Sequence, residues 1–517
     1  MLLGLSACLL VEAQNKQEEK DFYTAIASNK QIVEGDRPLE KIGEKVLPDK
    51  ELTWSDSKKY RFTPLKKITT KQEMEQALGS LRNQYATYLQ DIAPQFQAVR
   101  KTIRIDSMQF RYETKEDCLD FSLLSQGGGK WEQVAMPYYH GPHGVATAWY
   151  RKEFELSTDM MAMPAVMLHF NGSDYYTDAY VNGHHVGYHE GMLDEFEFNI
   201  KKYLRPGKNT LLVKVRNDYS MLGGEATPRR WGNKLAASNS AGWDDPYAGW
   251  ICCPAGFGIY QDLYIEGRGM PYIADMYCRP LLDQSAVELW VEIDLENGDD
   301  ADHFMLEYSL FGQNFDATVV KNQSKEIRVE GGRVLNKTII PIPEEMLKLW
   351  EPATPWLYQM QVRLSDKKGN VLDGRKQQFG MRQFVISETS VPKGRFYLNG
   401  KEVRLRGTNT MGFLQKSVMA HDWERLTDDL LLAKLTNINF IRTTQRIVPK
   451  EVYEYADRVG MMMQADLPLF AYINQKQYTE ILKQASGIER VLRNHPSVIL
   501  MSYLNESMAE KQAHAKL

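Results

Sequence analysis

Residues 70–90 place Met74, Leu78, Leu81, Tyr85 and Leu89 at spacings of three or four, the period of a helix with one apolar face. The residues before them, from about 15, are charged and sparsely apolar, which reads as a tether leading into one or two helices. Beyond about residue 100 the period drops to two. The runs 149–156 and 211–216 alternate apolar and polar, and Asn171-Gly172, Asn182-Gly183 and Pro206-Gly207 punctuate them. Such strands and turns predict an antiparallel sandwich. The segment 178–187 predicts a hairpin turning at Asn182-Gly183. From about 270 to 387 the runs 287–293 and 358–364 alternate again, which predicts an immunoglobulin-like sandwich.

After Pro392 the pattern changes once more. A hairpin over 396–403 leads into a strand over 403–409. Asp422 caps a helix carrying Leu426, Leu430 and Leu435, and a strand follows over 438–444. Val452, Tyr455, Ala456 and Val459 mark a helix stopped by Gly460, ahead of a strand over 461–467. Ile481, Leu482, Ile488, Val491 and Leu492 mark the next helix, or two short ones. His495-Pro496-Ser497 then breaks the helical pattern, and four apolar residues from Val498 read as a strand buried on both faces. Strands alternating with helices predict βα units and a parallel sheet. The four strands end in polar groups: Asn409, Arg442, Asp466 and the pair Asn505-Glu506. Where such strands form a barrel, their C-terminal ends carry the chemistry. Capping of βα turns explains Asn409 and Asp466 well. It explains Arg442 poorly, because a guanidinium in a barrel mouth needs an anionic partner. Glu506 is the candidate general acid/base.

Composition adds limits. With 43% hydrophobic and 25% charged residues the chain is ordinary for a globular protein, and its net charge of −4 gives no reason to expect a nucleic-acid partner. The five cysteines are irregularly spaced and form neither a zinc pattern nor a disulfide framework. No cofactor motif is present; the acidic residues Asp299, Asp300 and Asp302 read most simply as a solvated loop, and a structural divalent cation is the weaker reading because their spacing fits no known calcium loop. Leu5-Ser6-Ala7-Cys8 resembles a bacterial lipobox, and the abrupt polarity of residues 12–20 resembles a tether. The expectation is a lipoprotein signal and tether over 1–20, lipidation at Cys8, a lipid anchor to a bacterial membrane and a place in the cell envelope. The long loop 221–257 holds Trp231, Trp243, Tyr247 and Trp250 around Asp244-Asp245-Pro246. It reads either as a rim over a binding site or as a self-packed surface loop. His184, His185 and His189 read as surface or turn histidines, since adjacent residues of a hairpin point to opposite faces.

An ordered set of segments resembles glycoside hydrolase family 2, which includes β-galactosidases, β-glucuronidases and β-mannosidases. The segments are Ala179-Tyr180-Val181-Asn182-Gly183, Pro206-Gly207-Lys208-Asn209 with 213–217, Gly258-Ile259-Tyr260, 396–407, 438–442, and 491–498 with its Asn494-His495-Pro496-Ser497. The residues of 21–100 themselves predict a partly helical region, and the resemblance implies a jelly-roll sugar-binding-type domain over 101–268. An immunoglobulin-like sandwich over 269–388 and the first half of a (βα)8 TIM barrel over 389–517 follow. It implies a retaining exo-β-glycosidase acting on a carbohydrate substrate. Glu506 matches the acid/base, Asn505 the group that bonds the sugar 2-OH, and Arg442 the arginine that orients the nucleophile. Asn409 and Asp466, with Trp243, Asp244 and Asp245 from the first domain, are the expected substrate-binding residues.

Three departures concern the sugar site. Ser502-Tyr503-Leu504 stands where the family often has tryptophan. Thr410-Met411 replaces a histidine, and Thr443-Thr444-Gln445-Arg446 replaces Ser-His-Tyr-Pro. Retention needs two carboxyl groups about 5 Å apart, and the family's nucleophile is a glutamate on barrel strand seven, past Leu517. The expectation is an N-terminal fragment, inactive by itself. The competing expectation is a non-catalytic glycan-binding surface lipoprotein with a relic barrel, and the joint presence of Asn505, Glu506 and Arg442 argues against it.

Overall fold

The computed structural model describes residues 67–115, 117, 121–140, 145–192, 194–218, 257–296, 302–329, 332–389, 393–410, 414–444, 448–467, 478–503 and 505. Helix α1 (Lys71–Tyr85) begins at Thr70, whose side chain accepts from the Glu73 N–H while the Glu73 carboxylate caps Thr70 in return. Its apolar face, with Leu78 and Tyr85 buried, packs into the core of the C-terminal α/β unit. The chain then runs back across the second sandwich. Ile92 N–H donates to Gln313 O at 2.7 Å, and Gln361 Nε2 donates to Pro94 O at 2.6 Å. Arg100 closes this path, donating to Asp373 at 2.9 and 2.7 Å and to Glu266 at 3.0 Å. The described part of that segment, from residue 67 to Arg100, therefore touches all three domains.

The first sandwich pairs a six-stranded sheet with a four-stranded one. Their inward residues, among them Tyr150, Leu168, Val213 and Ile265, form one core. The predicted hairpin is present: Val181 pairs with His184, and Asn182 and Gly183 both take positive φ, 51° and 83°. Asn182 also holds a distant turn in place, donating to Asn209 Oδ1 at 2.8 Å. The second sandwich has sheets of three and four strands around a core that includes Val291, Leu306 and Met360. Its strand Ala286–Asp294 alternates buried and half-buried positions, as its sequence requires.

The C-terminal unit holds strands β1 (Gly407–Thr410), β2 (Phe440–Thr443), β3 (Met462–Asp466) and β4 (Val498–Ser502), parallel and in sequence order. Helices α2 (Trp423–Leu435), α3 (Lys450–Val459) and α4 (Tyr478–Leu492) connect them. Asp422 caps α2, accepting from Arg425 N–H at 3.0 Å. Gly460 ends α3 at φ 67°, and a Cβ there would meet Pro352 O at 2.5 Å, so only glycine fits. This is a half-barrel pattern. One expectation changes: in β4 only Ile499 is buried, while Val498, Leu500 and Met501 are half-buried. The cause is that β4 is the edge of the described sheet and has a strand neighbour on one side there.

Ionisable groups concentrate where the domains meet. Glu195 of the first sandwich accepts Lys450 Nζ of α3 at 3.0 Å, and Glu197 accepts Arg268 at 2.8 and 2.6 Å. Burial opposes ionisation of both carboxyls. Lys450 with His169 at Glu195, and His169 with Arg268 at Glu197, outweigh it and hold both far below the usual carboxylate range. Burial pushes Glu451 up to about 7. Burial also opposes a charged His495, but the Asp457 carboxylate outweighs it and raises the imidazole above its ordinary value. The signs differ. Glu195 and Glu197, depressed from 4.5, stabilise the fold above that pH, and this is lost as pH falls toward their folded values. Glu451 and His495 are raised, so their contribution is complete below 4.5 and 6.5 respectively and is lost as pH rises through the folded values. Urea melts across pH are expected to show the highest midpoint on the mildly acidic side of neutrality. A midpoint that keeps rising from neutral into alkaline pH contradicts this.

Candidate active site

Parallel pairing sets the site's frame. Asn409 stands opposite Arg442, Arg442 opposite Gln464, and Asp466 opposite Ser502. Side chains two apart on a strand share a face, so Gln464 and Asp466 lie on the same side of β3. The result is a polar cluster at the C-terminal ends of three neighbouring strands.

Arg442 is its centre. Its Nε and Nη2 donate to Asp466 Oδ2 at 2.9 and 2.6 Å, and Nη2 also donates to Asn505 Oδ1 at 2.6 Å. Gln464 Nε2 donates to the other carboxylate oxygen, Asp466 Oδ1, at 3.0 Å. The Asp466 side chain is 0% exposed and that of Arg442 is 24% exposed. The guanidinium thus has the anionic partner that its position demands. Its Nη1 makes no hydrogen bond among the described residues. Behind the cluster, Tyr453 of α3 is fully buried, and burial pushes its phenol up to about 12.

The structure brings Arg442, Asp466 and Asn505 together. Asn409 is solvent-exposed on β1, in register with Arg442, and its side chain makes no hydrogen bond among the described residues. Glu506, Trp243, Asp244, Asp245 and Cys8 lie outside the described residues. Glu506 directly follows Asn505 in the chain. Gln464 was not among the expected site residues. Its place two residues before Asp466 was the available signal.

The other end of the sheet is anchored. His495 Nδ1 lies 2.7 Å from Asp457 Oδ2, and Ser497 N–H donates to Asp457 Oδ1 at 2.9 Å. Gln378 of the second sandwich donates to the same carboxylate at 3.1 Å, and Trp350 Nε1 donates to the Asp457 backbone oxygen at 2.8 Å. Arg382 donates to Pro496 O at 2.9 Å and also to Val498 O. The start of β4 is therefore clamped by the second sandwich, which leaves its far end at the polar cluster.

Comparisons with known proteins agree with this architecture. Three family models match in order: the sugar binding domain of glycosyl hydrolases family 2 over 134–224, glycosyl hydrolases family 2 over 271–382, and the family 2 TIM barrel domain over 389–517. A β-galactosidase of Oenococcus oeni is 25% identical over 397 residues, covering 73% of this chain and 35% of the relative. A β-galactosidase of Kluyveromyces lactis is 24% identical, covering 70% and 37%. Among solved structures, Bacteroides uniformis β-glucuronidase superposes with a TM-score of 0.62 at 21% identity, over 80% of this chain and 48% of that one. The β-D-mannosidase of Dictyoglomus thermophilum gives 0.61 at 22% identity, over 78% and 52%. The chain thus spans about half, or less, of the length of these relatives. With matched domains in the same order as the observed sandwich, sandwich and half-barrel, the chain belongs to glycosyl hydrolases family 2.

Proposed function

We propose that this chain carries the acid/base half of the active site of a retaining exo-β-glycosidase, which removes terminal β-linked sugars from glycans. The observation that carries the reading is the Arg442–Asp466–Asn505 cluster at the C-terminal ends of β2, β3 and β4. It holds the residue next to Glu506 at the mouth where such barrels do chemistry. In this reading Glu506 protonates the leaving oxygen and later activates water. Arg442 and Asn505 orient the reacting groups. Retention needs a second carboxylate about 5 Å from the first, and the family resemblance puts it on barrel strand seven. The named relatives act on β-galactosides, β-glucuronides and β-mannosides, so these are the first substrates to assay.

The test is hydrolysis of 4-nitrophenyl β-D-galactoside, β-D-glucuronide and β-D-mannoside by the protein carrying its complete barrel. The first-formed sugar is read by proton NMR. A β-anomer as first product supports the reading, and an α-anomer or no turnover refutes it. We further propose, from the lipobox-like Leu5-Ser6-Ala7-Cys8 alone, a bacterial envelope location held by a lipid on Cys8. Loss of membrane fractionation in a Cys8→Ala variant is the expected result.

A further inference from the structure

We infer that Asp466 acts on the reaction through Arg442, as a positioning residue, rather than by touching the sugar. The inference rests on the glycosidase reading above. Asp466 is 0% exposed, and both of its carboxylate oxygens are engaged: Oδ2 by Arg442 and Oδ1 by Gln464. A carboxylate so placed has no surface to offer a ligand. What it controls is the guanidinium plane. Two donors of one rigid fork converge on Oδ2, which fixes both the position and the tilt of Arg442.

The fixed fork has a consequence one bond further on. Arginine has donors and no acceptor. Its 2.6 Å contact with Asn505 is therefore made by the amide oxygen, and the flipped amide is excluded. Asn505 Nδ2 is left pointing away from Arg442 as a pure donor, without a hydrogen bond among the described residues. It can read only an acceptor oxygen. A sugar 2-hydroxyl meets that requirement, and hydrogen bonds to this hydroxyl strengthen in the transition state of retaining glycosidases. Asp466 thus sets the amide orientation of Asn505 at second hand, through β2, on a strand that neighbours both. Gln464 braces the carboxylate from the same face of β3.

The experiment is a double-mutant cycle on the protein with its complete barrel, using the three 4-nitrophenyl glycosides. Asp466→Asn keeps the shape and removes the charge. It is expected to lower kcat/KM by about 10²-fold, mostly in kcat, as a small misplacement of reacting groups does. Arg442→Ala is expected to lose at least as much. The double variant should be no worse than Arg442→Ala alone, because the inference routes the effect of Asp466 on the reaction through Arg442. Losses that multiply in the double variant, or a loss confined to KM, overturn the inference.

A second readout needs no turnover. In the 517-residue chain labelled with ¹⁵N-arginine, the Arg442 Nε proton should exchange slowly with solvent. It should exchange faster in Asp466→Asn and in Gln464→Leu. Unchanged exchange in both variants overturns the inference. An inactive wild-type enzyme overturns the functional reading and leaves the exchange measurement to decide the role of Asp466.

Discussion

Glu506→Gln is expected to cut turnover of β-glycosides with poor leaving groups by about 10²–10⁴-fold, the usual worth of a positioned general acid. Glutamine keeps the size of the side chain and removes only the transferable proton. An alkyl aglycone leaves as an alkoxide without that proton, so its bond cleavage slows by the full factor. A dinitrophenolate leaves unaided, so formation of the glycosyl-enzyme is spared. Its hydrolysis still needs the base, and a burst of phenolate followed by slow turnover is the expected trace. Azide needs no base to attack, so it should restore turnover and yield the β-glycosyl azide. Equal losses on alkyl and dinitrophenyl substrates, with no azide rescue, would remove Glu506 from the acid/base role.

The largest structural effect is expected at the opposite end of the sheet. Asp457 is 0% exposed and satisfies His495, the Ser497 N–H and Gln378 together. Asp457→Ala removes the carboxylate that raises the His495 imidazole, and leaves that buried ring and the buried Ser497 N–H without their partner. Breaking a buried pair by removing one partner costs about 3–5 kcal/mol. The loss is expected as a lower urea midpoint, and it should shrink as pH rises through the folded value of His495, where the ion pair is lost anyway. A companion variant, His495→Phe, removes the other charge but leaves Asp457 buried, and should be comparably destabilising. If Asp457→Ala unfolds at the wild-type midpoint, the clamp on β4 is not an energetic anchor.

Much of this molecule follows from local rules. Alternation over 287–293 produces a strand whose buried positions repeat every second residue because the pleat has that period. Asn182-Gly183 produces its hairpin because those two residues tolerate positive φ. Thr70 and Glu73 start α1, and Gly460 ends α3, by capping within one turn. The polar ends Arg442, Asp466 and Asn505 stand out in sequence because each closes an apolar run.

Partners at long range do not follow from those rules. A period of two says which face a residue takes, and the register of another strand says whom it meets. Arg442 and Asp466 are 24 residues apart, and Arg442 and Asn505 are 63 apart. Their contact exists because β2, β3 and β4 align in parallel. Arg82 of α1 bonds Asp428, 346 residues away, because the fold returns α2 to the helix that precedes both sandwiches. His495 reads in sequence as part of a helix break, and only packing against α3 makes it one half of a buried ion pair. The sequence by itself determined the elements, their order and the candidate chemistry, since these depend on neighbours in the chain. The tertiary structure decided which charges face each other, since that depends on strand register and domain packing.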